Sequence, residues 1–380
     1  MKRITLEGGI KVVIFDLPPE GFDPLAASAA ELERYGFPAI SNNPHHRQSY
    51  QKLLSQLKHK LKFVEPTFRA IPAKTKASGP FAPPGTSPNW SGAVISPPQG
   101  QSIQWVQGEW VVPNIVAPGS ESIYQCCSWV GIDGDSASDM LIAGIICLLD
   151  AGAKSFTLFW LWNPTALIGV NGDAITSIPV NDGDRITVII CSTQGAGSTS
   201  ATVYFVNVTT GISTHFGVSP FEVAAEPLVG NSAEWVVSAD LGPIAFSPNF
   251  QLADYGEVLF DNCEAGMAPS GDALDGGTGT ALNMTVGGQV VSRGILIGPT
   301  TVECVYGTGQ PPPPESTICE QLAQNIRKVI IDNGPAFTVA AWPGVKSQLE
   351  QCVRQGYLTQ ATVNGLITEY ENWLKTRFGS

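Results

Sequence analysis

Residues 129–144 read W-V-G-I-D-G-D-S-A-S-D-M-L-I-A-G, and residues 230–238 read G-N-S-A-E-W-V-V-S. Both are apolar runs bounded by Gly, Asp or Asn, the composition of strands between turns. In an extended chain successive side chains point to opposite faces, so Glu234, Val236, Ser238 and Asp240 share one side and Trp235, Val237 and Ala239 the other. The apolar set is expected to face a core. Runs of the same kind at 103–112, 155–162, 185–191, 200–208, 256–260 and 289–297 predict an antiparallel β-sandwich.

Composition supports that reading. The chain has 380 residues, 43% apolar, with 40 Gly, 29 Pro and only 14% charged residues, which suits many short strands and turns better than a helical bundle. A net charge of −12 argues against nucleic acid and anionic membranes as partners, because both need clustered Lys and Arg. The charge is uneven. Residues 1–76 hold 12 Lys/Arg against 7 Asp/Glu, a balance of +5, and the remainder holds 9 against 26, a balance of −17. A basic leader ahead of an acidic body is expected to dock through charge near neutrality and to let go as carboxylates protonate.

Ser28 to Glu31 forms a capping-box pattern that opens a short helix which Gly36 can close, and Leu53, Leu57 and Leu61 recur at helical spacing within 47–62. The Pro-rich run 311–314 marks a stiff spacer. After it the period becomes helical, with a second capping box at 317–320 and a stripe of Val363, Leu366, Ile367, Tyr370, Trp373 and Leu374. The organisation expected is a basic, partly helical leader (1–76), a Pro/Ala/Gly-rich linker (77–88), the sandwich (89–306), a spacer (307–315) and a helical appendage (316–380).

None of the eight cysteines forms a C-x-x-C pair, and the four histidines show no metal-ligand spacing, so neither metal nor cofactor is expected. The apolar run at 10–15 is interrupted by Lys11 and is too short for a signal sequence. A cytoplasmic chain with mostly free thiols is expected, with leaderless export as the alternative.

Several blocks appear in one order: Asn89-Trp-Ser-Gly92, Trp110-Val-Val-Pro113, Trp129 to Gly134, Trp160-Leu-Trp162, Asp182-Gly-Asp184, Ala233-Glu-Trp235 and Leu252 to Gly256. Together they resemble the glutamic peptidases, or eqolisins, which implies a concanavalin-like or jelly-roll-like sandwich and an acid endopeptidase ancestry. In that family a Glu acts as general base on a water and a Gln amide holds the water and the developing oxyanion. The resemblance places those roles at Ser238 and Ile142, and a third acidic position of the family at Leu161. A serine hydroxyl is far too weak a base, and isoleucine and leucine offer no polar atom at all.

The resemblance also implies that Trp90, Trp129, Asp133 and Trp162 line or support a substrate cleft. The expected protein is therefore a catalytically degenerate member of the fold that binds peptides in the former cleft. Two other readings stand beside it. One is a working acid endopeptidase using Glu234, Asp240 or Asp133 as substitute carboxylates. The other is a carbohydrate-binding sandwich, which rests on fold analogy and exposed tryptophans.

Overall fold

Trp235 and Val237 enter the inter-sheet core while Glu234, Val236 and Ser238 turn to the other side, as the alternation predicts. The structure, a computed structural model, describes residues 1–6, 10–39, 51, 53, 54, 57, 61–71, 86–135, 140–163, 172–219, 227–239, 251–286, 289–307, 323, 326, 342–354 and 358–378. In chain order the strands begin with β1 (Lys2–Thr5), β2 (Lys11–Ile14), β3 (Lys62–Phe63), β4 (Phe68–Ala70), β5 (Thr86–Ser87), β6 (Trp90–Ile95) and β7 (Ser102–Val111). Then come β8 (Ile123–Ile132), β9 (Met140–Asp150), β10 (Ala153–Asn163), β11 (Gly172–Ile175), β12 (Arg185–Ser192), β13 (Ala201–Asn207) and β14 (Ile212–Ser219). The last are β15 (Ala233–Ser238), β16 (Gln251–Leu252), β17 (Glu257–Ala268), β18 (Ala273–Asp275), β19 (Thr280–Val286), β20 (Gln289–Gly298) and β21 (Thr301–Tyr306).

Two antiparallel sheets stack face to face. The front sheet runs β4–β11–β10–β9–β8–β15–β6–β19. The back sheet runs β1–β2–β14–β13–β12–β7–β17. Strands β19, β20, β21 and the first part of β17 link them along one side. Between the sheets lie Val130, Leu141, Trp160, Trp162 and Trp235 from the front and Trp110, Val188, Phe205, Phe216 and Phe260 from the back. This is a β-sandwich with an apolar interior.

The leader is part of that sandwich. Residues 1–307 form one compact unit and 308–380 a second. Leader strands extend both sheets, β2 and β3 alongside β14 and β4 alongside β11. Helix α1 (Ala29–Tyr35) starts with the predicted capping box, Ser28 Oγ accepting from the Glu31 N–H and the Glu31 carboxylate accepting from the Ser28 N–H. Gly36 closes it at φ 74°, a left-handed conformation that glycine tolerates. Leu32, Phe37, Leu53, Leu54, Leu57 and Leu61 are buried on the outer face of the back sheet, against Trp105, Ile189, Cys191, Tyr204 and Val206. The predicted helix over 47–62 lies largely outside the described residues.

These contacts set apolar burial beside the expected electrostatic dock, and six of the leader's twelve basic residues lie outside the described residues. The N-terminal amine and Arg34 both pair with Asp16, and Lys2 pairs with Glu65, so these ion pairs close within the leader itself, on exposed side chains. Exposed pairs of this kind add little. Apolar burial holds the leader, since each buried Leu or Phe contributes about 1.5–3 kcal/mol.

In the second unit, α2 (Trp342–Arg354) and α3 (Gln360–Phe378) pack around Leu349, Val363, Leu366 and Tyr370, with Ile367, Trp373 and Leu374 at the margin. The capping box at 317–320 lies outside the described residues. Cys126, Cys127, Cys147, Cys191, Cys263 and Cys304 are free and buried, and Cys352 is disulfide-bonded. Among the described residues no helix is long and apolar enough to cross a membrane.

Phe37→Ala is expected to lower unfolding free energy by about 3–5 kcal/mol in chemical denaturation, because it opens a cavity in the leader interface. Limited proteolysis of the leader should be unchanged when salt is raised to about 0.5 M, where surface charge is largely screened. Release of the leader by salt alone would restore the electrostatic account.

Candidate functional site

The outer face of the front sheet is where the sequence places its chemistry. Register sets three rows across it. Leu161, Ile142, Gly131, Glu234 and Val94 stand side by side on β10, β9, β8, β15 and β6. The next row on this face is Phe159, Gly144, Trp129, Val236 and Gly92, and the third is Thr157, Ile146, Cys127, Ser238 and Trp90. Ile142 is thus level with Glu234, while Ser238 lies two rows further along β15, about 13 Å along the strand at ordinary strand rise.

The Trp129 indole connects the two positions. Its Nε1–H donates to Ser238 Oγ at 2.9 Å, so the hydroxyl at the position where the resemblance expects a base acts as an acceptor for a buried tryptophan. The other end of the ring reaches Gly131. A Cβ on Gly131 would stand 2.9 Å from Ile142 Cγ2, 3.0 Å from Glu234 Oε2 and 3.0 Å from Trp129 Cζ3, so only glycine fits beneath these three groups. Trp90 packs edge-on against Trp129 at 5.2 Å. Met140, Ile142, Phe159, Leu161, Val236 and Leu282 complete one buried apolar cluster, with Ile71 of the leader and Ile146 against it.

Glu234 is the exception in this cluster. It is 0% exposed, and among the described residues neither carboxyl oxygen has a hydrogen-bond partner. Burial pushes its pKa well above the usual carboxylate range, and charge on Asp133 and Asp135 adds to the shift. The Ser232 hydroxyl opposes it, but that hydroxyl is hydrogen-bonded to Asn231 Oδ1 at 3.2 Å. A carboxyl held as the neutral acid cannot take a proton from water.

Two sequence expectations are corrected. Trp162 is not on this face: with Trp160 it points into the inter-sheet core, and Phe159 and Leu161 point outward in their place. Asp133 does not offer its carboxylate to a ligand. It is buried at φ 64° and accepts the backbone N–H groups of Val229, Gly230 and Asn231 at 2.8, 3.0 and 2.7 Å. Its charge is committed to ordering the loop before β15; burial raises its pKa and these hydrogen bonds oppose the rise. Trp90 and Trp129 are on the face, both buried. Asp240 lies outside the described residues. Gly131, Met140 and Phe159 were missed; only strand register could have brought them forward.

Among the described residues no cluster of His, Cys, Asp or Glu could hold a metal ion. A family model for the Peptidase A4 family matches residues 88–306. Among solved structures the chain is similar to scytalido-glutamic peptidase with a peptide-based transition state analog, at 22% identity over 58% of this chain and 98% of that one, TM-score 0.46. It is also similar to aspergilloglutamic peptidase from Aspergillus niger, at 25% identity over 48% and 99% of the two chains, TM-score 0.42. Comparison with curated proteins gives no match.

Glu234→Gln should separate charge from packing. A raised folded pKa means that the wild-type carboxyl contributes its full stability below the unfolded value near 4.5 and loses it as pH rises toward the folded value. The Gln variant is therefore expected to melt higher than wild type at about pH 7 and together with it at about pH 4. An identical difference at both values would show that Glu234 ionises freely.

Proposed function

Because the chain belongs to the Peptidase A4 family, the glutamic peptidases, we propose that it is a member that has lost acid-peptidase chemistry and uses the former catalytic face as a packed apolar surface. One observation carries the reading: Ile142 and Ser238 stand where the family resemblance calls for an amide and a carboxylate, and Ser238 Oγ is taken up by Trp129 Nε1. Losing an oxyanion donor costs about 10²–10³ in rate and losing a general base about 10²–10⁴. Leu161, in register with Ile142, adds no polar group.

The substitute-carboxylate alternative is weakened by the same geometry. Glu234 is neutral by burial, and Asp133 is occupied by three backbone donors. The carbohydrate reading required indole faces open to solvent, and Trp90, Trp129 and Trp162 are all buried. A peptide is the better ligand class. Trp90, at 9% the most open of the buried side chains in the cluster, marks the point where an apolar peptide side chain would enter.

Purified protein is expected to release no peptides from denatured casein between about pH 2 and 7, the range over which carboxylate bases titrate. Ile142→Gln combined with Ser238→Glu is expected to leave the chain inert, as is each single change, because the two positions stand about 13 Å apart along the sheet while base and oxyanion donor must act on one water. Cleavage by the wild-type chain that survives repurification and disappears in Glu234→Gln would overturn the proposal in favour of the substitute-carboxylate enzyme.

A further inference from the structure

His215 of β14 stands in register with Tyr204 on the outer face of the back sheet, and the leader closes over it. Phe15, just beyond β2, lies 5.7 Å away between ring centroids, Phe37, after α1, 5.1 Å, and Phe63, of β3, 5.9 Å. Tyr204 stacks on its remaining side at 5.1 Å and donates its hydroxyl to the Gly36 carbonyl at 2.6 Å. His215 Nε2 bonds to the Tyr35 carbonyl oxygen. One imidazole therefore touches three separate pieces of the leader. Its Nδ1 is buried and has no hydrogen-bond partner among the described residues.

The neutral ring fits this cage: Nε2–H donates to Tyr35, and Nδ1 carries only a lone pair. A second proton would place a donor with no acceptor, and a full charge, among aromatic rings. Among the described residues the titratable group that faces the ring is one phenol, Tyr204 from β13; α1 presents the Tyr35 backbone carbonyl, and β3 and the chain after β2 and α1 present Phe63, Phe15 and Phe37. The nearby Asp16 and Arg34 are exposed and paired with each other, and Arg34 lies over the Tyr35 ring. None of the facing groups is a carboxylate that could share the added proton.

We propose that His215 is an acid-sensitive latch: protonation of its ring weakens the hold of the leader on the outer face of the back sheet, over Trp105, Ile189 and Tyr204. Burial drives the His215 pKa down to about 4, and the bond to Tyr35 only partly offsets it. Once the leader has left, the exposed ring returns to about 6.5. Docking is then fully favourable above about 6.5 and weakens as pH falls through the window down to about 4. The device is independent of whether the front face is catalytic.

Hydrogen exchange on the intact chain reads the latch directly. After correction for the intrinsic rate, amide protection at Leu32 and Phe37 should fall about 20-fold between pH 7 and 5 while that of β8 and β15 persists. In His215→Gln, whose amide can still donate to Tyr35, and in His215→Phe, which keeps the ring, protection should be flat over that range. The proposal is overturned if either variant loses protection as wild type does, or if β8 and β15 open together with the leader. It is equally overturned if the His215 ring in the intact chain titrates near 6.5 by NMR, a measurement that needs no variant.

Discussion

Around Ile142, Trp129 and Glu234 the front sheet is buried on both faces, and that burial governs what the residues there can do. A sheet wet on one side can keep carboxylates, amides and ordered water there at little cost. A sheet buried on both sides must fill both alternations with apolar groups or satisfy each polar atom. Ile142, Leu161 and Val236 meet the first demand, and Ser238, accepting from Trp129, meets the second. Glu234 meets neither and responds by keeping its proton.

The same constraint links packing to the proposed loss of chemistry. Peptide hydrolysis by a carboxylate needs a charged base, a bound water and a donor for the oxyanion within one small volume. Here that volume is occupied by the Trp129 ring, the Ile142 side chain and the Glu234 carboxyl, which meet over Gly131 with no room for a further carbon. Asp133 contributes to this order from outside the face by fixing residues 229–231, from which β15 enters the sheet. Scaffold and former site are thus maintained by the same few contacts.

Much of this was legible in the sequence where a polar phase exists. The alternation at 233–238, the capping box at Ser28 and the helical stripe of α3 each carry a polar side that fixes the apolar one. Phe159-Trp-Leu-Trp162 has none: both alternations are large and apolar, so nothing in it tells core from outer face, and Trp162 was placed on the wrong one. Asp133 carried two readings because its partners, Val229 to Asn231, lie nearly a hundred residues away. The leader misled for a different reason. Its charge is conspicuous in composition, but among the described residues its ion pairs at Asp16 close within the leader, and the leucines and Phe37 pack against the back sheet.

The central claim, a dry and chemically silent face, is tested most directly by the protonation state of Glu234. The side-chain carboxyl carbon of Glu234, followed by carbon-13 NMR in the intact protein, is predicted to keep the shift of a neutral acid well above the pH at which an ordinary glutamate ionises. A transition centred near 4.5, with the carboxylate shift above it, would mean that water reaches the face and that a base is present there after all.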